Sequence, residues 1–282
     1  MVVFINGKFV PEERAVVSVF DRSFLYGDGL FETIRIFNGQ PFCWQQHLER
    51  LQRGSKFLKI KLPCASKRLR AFADRLVGRN KMPDSLLRLT LSRGVGMRGY
   101  SLQNANQPTL VMTLHPAPKM DLKNPPRWKL MTSSFQLPAN EPLAQFKTCN
   151  KLPQILARAE ADATGADEAL LLNTDGFVVE GASSNLFWIE REVAFTPALA
   201  AGILAGVTRA TVLEICRKLK ISVREKNVRP KDLVRADGIC LSLSSFGIVE
   251  AKSLNRNKIK QSPLTKQIAC AYNEILAKET SR

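Results

Sequence analysis

Ala169-Leu170-Leu171-Leu172-Asn173-Thr174-Asp175-Gly176-Phe177-Val178-Val179-Glu180-Gly181-Ala182-Ser183-Ser184-Asn185-Leu186-Phe187-Trp188-Ile189 is the stretch that decides the fold. An apolar run over Ala169–Asn173 meets the Asp175-Gly176 turn, and a second run follows over Phe177–Glu180. That is hairpin grammar. A bend of small residues then leads into a third strand, Asn185–Ile189.

The same reading extends outward in both directions. Downstream come a strand at Val193–Phe195 and a helix from Val207 to about Lys220, with Val212, Ile215, Cys216 and Leu219 at helical spacing. A last strand over Gly238–Leu243 and a C-terminal helix follow. Upstream, a helix near 151–164 carries Leu152, Ile155, Leu156 and Ala159 on one face, preceded by a strand at Arg127–Phe135. The chain opens with two further hairpin signals, Val2–Ile5/Asn6-Gly7/Lys8–Val10 and Thr33–Phe37/Asn38-Gly39/Gln40–Trp44. A helix begins with Trp44, Leu48 and Leu51 at i, i+4, i+7, and strands are expected at Leu86–Ser92 and Thr109–His115. Frequent hairpins without regular strand–helix alternation specify an α+β fold. Pro116, Pro118, Pro125 and Pro126 mark a break. The expected organisation is a first domain over 1–116, a linker over 117–126 and a second domain over 127–282.

Composition bounds the chemistry. The 282 residues are 45% hydrophobic and 24% charged, which is globular, and hold two histidines, His47 and His115. A multi-histidine metal site is therefore excluded and no metal is expected. The net charge is +17. Much of it lies in residues 50–81, where eleven basic side chains alternate with Leu51, Phe57, Leu58, Ile60, Leu62, Leu69, Phe72 and Leu76. That alternation fits amphipathic helices with a solvated basic face. Attraction of an anionic substrate is a second use for it, and a nucleic-acid-binding module is a third, without zinc-finger spacing or an aromatic RNA-binding signature to support it. The six cysteines form no CxxC and read as buried free thiols. MVVFINGKFV lacks the marks of a signal peptide and no long apolar segment suits a membrane span, so a reduced, cytoplasmic protein is expected.

Four constellations can carry chemistry. In Phe146-Lys147-Thr148-Cys149-Asn150-Lys151-Leu152, apolar neighbours desolvate Lys147, which lowers an amine pKa and favours imine formation. A surface lysine capping a loop fits the same residues. In Glu180-Gly181-Ala182-Ser183-Ser184-Asn185, an acid ends a strand beside a small-residue bend where a flat ring can approach, its carboxylate able to hold a protonated ring nitrogen. A polar corner between strands fits equally. Gly206-Val207-Thr208-Arg209 opens a helix with free N–H groups and a hydroxyl, an anion site or an ordinary turn. Finally, Arg98 and Tyr100 sit in the loop Ser92-Arg93-Gly94-Val95-Gly96-Met97-Arg98-Gly99-Tyr100-Ser101, suited to carboxylate capture or to plain exposure.

Lysine, acid and helix N-terminus, in that order and at these distances, carry more than any one of them. With the run Phe20-Asp21-Arg22-Ser23-Phe24-Leu25-Tyr26-Gly27-Asp28-Gly29-Leu30-Phe31-Glu32-Thr33, the E-G-x-x-S-N-L-F block, Thr196-Pro197 and Leu204-x-Gly206-Val207-Thr208-Arg209, the sequence resembles the class IV, fold type IV pyridoxal-phosphate enzymes, such as D-amino acid aminotransferase. The resemblance runs from Phe4 to about Val249. It implies pyridoxal 5'-phosphate as cofactor, with Lys147 forming the covalent link and shuttling protons at the substrate carbon. Lys151 is the rival lysine. It implies Glu180 paired with the pyridine nitrogen, and Arg50, Val207, Thr208 and Ser244 at the phosphate. Arg98, Tyr100, Phe31 and Glu32 are implied on the substrate side. Similar enzymes are homodimers whose Arg98-type loop reaches the neighbouring subunit's pocket.

The family's branches differ in how they grip carboxylates. Branched-chain transaminases usually carry Asn-Tyr after the lysine, whereas this chain has Asn150-Lys151-Leu152; D-amino acid transaminases usually have Arg-x-His where it has Arg98-Gly99-Tyr100. S-R-G-x-G-x-R-G-Y-S is similar to 4-amino-4-deoxychorismate lyases of folate biosynthesis. A lyase releasing pyruvate and 4-aminobenzoate is the expectation. A transaminase of D-amino acids, (R)-amines or branched-chain amino acids is the alternative.

Overall fold

Asn6 and Gly7 take positive φ of 46° and 88°, and Asn38 and Gly39 take 50° and 76°. Two consecutive left-handed residues match the right-handed twist of flanking strands, so both Asn-Gly steps close hairpins. In the computed structural model, which describes residues 1–281, the first hairpin joins β1 (Val2–Ile5) to β2 (Lys8–Pro11). After a short helix α1 (Arg22–Tyr26), the second joins β3 (Gly29–Phe37) to the two-residue β4 (Gln40–Pro41). The strand expected over Gln40–Trp44 ends at Pro41, and helix α2 (Trp44–Leu58) starts at Trp44, as the spacing of Trp44, Leu48 and Leu51 predicts. Helix α3 (Ser66–Asn80) and strands β5 (Ser85–Ser92) and β6 (Thr109–Pro116) follow.

The six strands form one antiparallel sheet in the order β2-β1-β6-β5-β3-β4. Period-2 alternation puts Leu30, Ile34 and Ile36, with Leu87, Leu89 and Leu91, on one face, where Leu48 and Leu51 of α2 and Leu69 and Leu76 of α3 complete the core. Of the eleven basic residues over 50–81, Arg50 is buried and Arg70 half-buried; the rest are exposed. Several lay their guanidinium groups on aromatic rings, as Arg75 and Arg79 do on Phe9.

The chain divides into two units, and the division differs from the linear one. Unit 1 comprises Met1–Pro118, then Phe146–Asn150, then the C-terminal residues from Leu276 on; unit 2 comprises Lys119–Gln145 and Lys151–Ile275. The short segment joins unit 1 because it pairs with β3 through an antiparallel bridge at Leu30↔Thr148. The last residues join it because Glu279 Oε1 accepts the Cys43 N–H at the start of α2, at 2.7 Å.

Unit 2 contains β7 (Arg127–Leu137), α4 (Leu152–Thr164), β8 (Glu168–Asn173), β9 (Val178–Gly181), β10 (Asn185–Glu190), β11 (Val193–Thr196) and α5 (Val207–Lys218). Then come β12 (Val223–Glu225), α6 (Pro230–Leu233), β13 (Gly238–Leu243), β14 (Gly247–Leu254), β15 (Asn257–Lys258) and α7 (Pro263–Glu279), whose residues from Leu276 on belong to unit 1. The strand order is β12-β11-β10-β13-β14-β7-β8-β9, and β9 pairs back onto β10 at Glu180↔Asn185. Leu130, Leu170, Val178, Leu186, Leu241 and Val249 are among the buried residues of its core. Gly238–Leu243, expected to be the last strand, is followed by β14 and β15. Glu250 and Lys252 interrupt the apolar pattern of β14, yet Glu250 is buried against Arg127 (3.7 Å) and Gln261 (3.0 Å), so a charged residue sits inside a central strand.

All six cysteines are free, and burial pushes the Cys216 thiol up to about 11. Among the described residues no helix is long and apolar enough to cross a membrane, and no three His, Cys, Asp or Glu side chains gather as a metal site.

Candidate active site

Lys147 is positioned by backbone pairing along the outer edge of β3. The Phe31 N–H donates to the Lys147 carbonyl and the Cys149 N–H to the Gly29 carbonyl, both at 2.9 Å. The Lys147 Nζ lies 4.7 Å from the centroid of the Phe31 ring, so the amine rests against an aromatic face and is half-buried. Lys151, its rival, stands at the N-terminal boundary of α4 and belongs to unit 2.

Phe31 and Glu32 point to opposite faces of β3. The Glu32 carboxylate is 1% exposed and takes up both neighbours on α2: Arg50 donates through Nε (2.8 Å) and Nη2 (2.5 Å), and His47 Nδ1 lies at 2.7 Å. Burial alone would raise the Glu32 carboxyl, but the Arg50 charge and the bonds from Arg50 and His47 outweigh it and hold it at about 2. His47 is pulled the other way: burial lowers its pKa, and the bond to Glu32 only partly offsets that. Glu32, expected beside the substrate, is therefore a buried counter-charge that orients Arg50. Both its oxygens are engaged on the α2 side of β3, opposite the face that carries Phe31.

The loop with Arg98 and Tyr100 is tied at its base by a second ion-pair cluster. Asp28 binds Arg22 (2.8 Å) and Arg93 (2.7 Å), and burial of its carboxyl is overcome by those two arginines, which lower its pKa. Arg22 Nη1 then donates to the carbonyls of Gly99 (2.9 Å) and Ser101 (3.2 Å), while the Gly99 N–H donates to the Tyr26 hydroxyl. The loop is thus held by its backbone, leaving Arg98 exposed and Tyr100 86% exposed.

In unit 2, Glu180, Asn185 and Ser242 form one row across β9, β10 and β13 (Asn185↔Glu180, Asn185↔Ser242). Directly opposed residues present their side chains on one face. Glu180 Oε2 accepts the Leu204 N–H at 2.9 Å, and Asn185 Nδ2 donates to the Leu204 carbonyl at 3.0 Å. The segment leading into α5 is thereby clamped to the acid. A Cβ at Gly206 would collide with Asn185 Oδ1, so a larger residue there must displace Asn185 from its place. Gly206 also leaves the first turn of α5, which carries the buried Val207 and Thr208, without a side-chain cap. Its amide donors and positive dipole end are open to an anion. Ser242 Oγ is buried without a hydrogen-bond partner, and Ser244 follows half-buried after β13. A buried hydroxyl left unbonded costs free energy unless something meets it. An acid for a ring nitrogen, an uncapped helix start and an orphaned hydroxyl together fit a phosphorylated heterocycle.

The comparisons agree with this chemistry. The model of the amino-transferase class IV family matches residues 29–254. The chain belongs to the class IV aminotransferase family. Class IV aminotransferases depend on pyridoxal 5'-phosphate, and that is the cofactor of this enzyme. A putative branched-chain-amino-acid aminotransferase of Methanocaldococcus jannaschii is 32% identical over 283 residues, covering 99% of this chain and 97% of the relative. An aminodeoxychorismate lyase of Vibrio harveyi is 34% identical over 260 residues, covering 91% and 93%. Among solved structures, the branched-chain aminotransferase from Thermoproteus uzoniensis with norvaline superposes with a TM-score of 0.91 at 29% identity, covering 99% of this chain and 96% of that one. The α+β architecture is that of fold type IV.

Several residues of these clusters escape a linear reading. His47 reads as a lone histidine until α2 brings it to Glu32. Glu168, 0% exposed, accepts from the Ser183 hydroxyl (2.6 Å) and N–H (3.2 Å) and so fixes the bend after Glu180. Arg88 carries a legible signal: in Ser85-Leu86-Leu87-Arg88-Leu89-Thr90-Leu91-Ser92 it falls in the polar phase of an alternating strand.

Proposed function

We propose that this enzyme is a 4-amino-4-deoxychorismate lyase, and the observation that carries the reading is the Arg98–Tyr100 loop. The loop has the lyase-like motif, its backbone is fixed by Arg22 and Tyr26, and its Arg98 is exposed to meet a carboxylate. The 34% identity to the Vibrio harveyi lyase supports it. We assign the covalent attachment to Lys147, the phosphate to Val207, Thr208, Ser244 and Arg50, and the pyridine nitrogen to Glu180.

When bound, the cofactor supplies an electron sink for the pair released as a bond near the amino-bearing carbon breaks. The protein does the rest. The Phe31 ring keeps water from one side of the Lys147 amine, which takes the proton leaving the substrate ring. The C–O bond to the enolpyruvyl group then breaks, the departing group gains a proton to leave as pyruvate, and the ring becomes 4-aminobenzoate. Glu180, its Oε2 fixed by Leu204, holds the ring-nitrogen proton. Glu32 and His47 hold Arg50 in place. We also propose a homodimer, in which the exposed Arg98 and Tyr100 serve the neighbouring subunit.

The Thermoproteus structure and the Methanocaldococcus relative favour a second reading, a transaminase. One assay separates the two. With 4-amino-4-deoxychorismate, equimolar 4-aminobenzoate and pyruvate are expected. Amino transfer from L-leucine, D-alanine or (R)-1-phenylethylamine to a keto acid, without 4-aminobenzoate release, overturns the lyase reading.

A further inference from the structure

The face of the unit 1 sheet opposite its core carries a guanidinium that the family motifs do not assign. In β5, Leu87, Leu89 and Leu91 turn to the core, so Arg88 and Thr90 turn to the other face, level with Thr33 and Phe31 of β3. The Arg88 Cζ lies 4.0 Å from the centroid of the Phe31 ring, the same ring that supports the Lys147 amine. Four of the five buried arginines among the described residues, Arg22, Arg50, Arg93 and Arg209, have carboxylate partners, in Asp28, Glu32, Asp28 and Glu225, and the fifth, Arg35, donates to the Pro118 carbonyl. Arg88 is half-buried, and among the described residues no carboxylate pairs with it. Burial lowers its pKa, and the titratable neighbour acting against that is the Cys149 thiol rather than an acid. A ring face compensates a desolvated cation only in part. The planar fork of an arginine in such a place matches a carboxylate from outside the chain.

We propose that Arg88 is a specificity-determining residue that binds a carboxylate of the amino substrate beside Lys147, so that amino carboxylates are selected over plain amines. This rests on the reading of Lys147 as the amine that meets the substrate. It adds a second carboxylate grip, built on a strand, to the loop-borne Arg98, and so suits a substrate with two carboxylates.

The test uses the holoenzyme and reads binding. Wild type, Arg88→Gln, Arg88→Ala and Arg88→Lys are titrated with 4-aminobenzoate, benzoate and isovalerate, and with the neutral amides benzamide and isovaleramide. Binding is followed by calorimetry and by the visible band of the cofactor. Loss of a charged hydrogen-bonding partner weakens binding about 10- to 100-fold. That loss is expected for the carboxylates in Arg88→Gln and Arg88→Ala, with partial recovery in Arg88→Lys and unchanged amide affinity. Unchanged carboxylate affinity, an equal loss for the amides, or no carboxylate preference in wild type overturns the proposal. So does disappearance of the visible band in all three variants, which would make Arg88 part of the cofactor's hold. A wild type without the band refutes the Lys147 reading instead, and the two failures are told apart.

Discussion

At the scale of single residues, Lys147 and Glu180 give the sharpest expectations. Lys147→Ala should abolish the visible band and cut turnover by about 10²- to 10⁴-fold or more from lost proton transfer alone. If the band survives there and vanishes in Lys151→Ala, the wrong lysine has been assigned. Glu180→Gln should still bind cofactor, because Asn185 and the Leu204 amide remain in place, yet lose about 10²-fold in kcat, as removal of one preorganised electrostatic partner does. Wild-type kcat in that variant rules out its role at the ring nitrogen. Both positions could be singled out in the sequence because their motifs are contiguous. The part played by Glu32 was not, because its partners lie fifteen and eighteen residues away on a helix packed against its strand. Linear order shows an acid near a site; only packing shows that both its oxygens are engaged.

Among the elements, the β3–α2 pair is held by a charge as well as by leucines. Glu32→Gln leaves the Arg50 guanidinium buried without its counter-ion and should destabilise the protein by about 3–5 kcal/mol, read as a lower Tm at pH 7. The sign of the pH dependence follows from a carboxyl lowered from 4.5 to about 2. The stabilisation is complete above 4.5 and is lost as pH falls toward 2, so the gap between wild type and Glu32→Gln should close over that interval. A gap that stays constant from pH 6 to pH 2.5 contradicts the ion pair. In α5 the decisive position is Gly206. Gly206→Ala must displace Asn185 or the helix start, at a cost of about 1–3 kcal/mol, and should raise the cofactor Kd in a titration monitored by absorbance. The start of this helix was legible from glycine and periodicity. Strand β14 was not, because the charges of Glu250 and Lys252 are neutralised or solvated only once the sheet has formed.

On the scale of the whole molecule, alternation and turn residues sufficed for the α+β class, since hairpins depend on neighbours in sequence. The division into units did not follow from them, because Phe146–Asn150 joins unit 1 through backbone pairing with a strand more than a hundred residues away. The same pairing bears on any attempt to dissect the chain. A fragment cut at Pro118 would contain every strand of the unit 1 sheet but would lose Lys147 and uncover the outer edge of β3 from Gly29 to Phe31. Raw strand edges recruit other strands. Such a fragment should aggregate on expression, and a synthetic peptide spanning residues 144–152, added in trans, should restore its solubility by filling the gap.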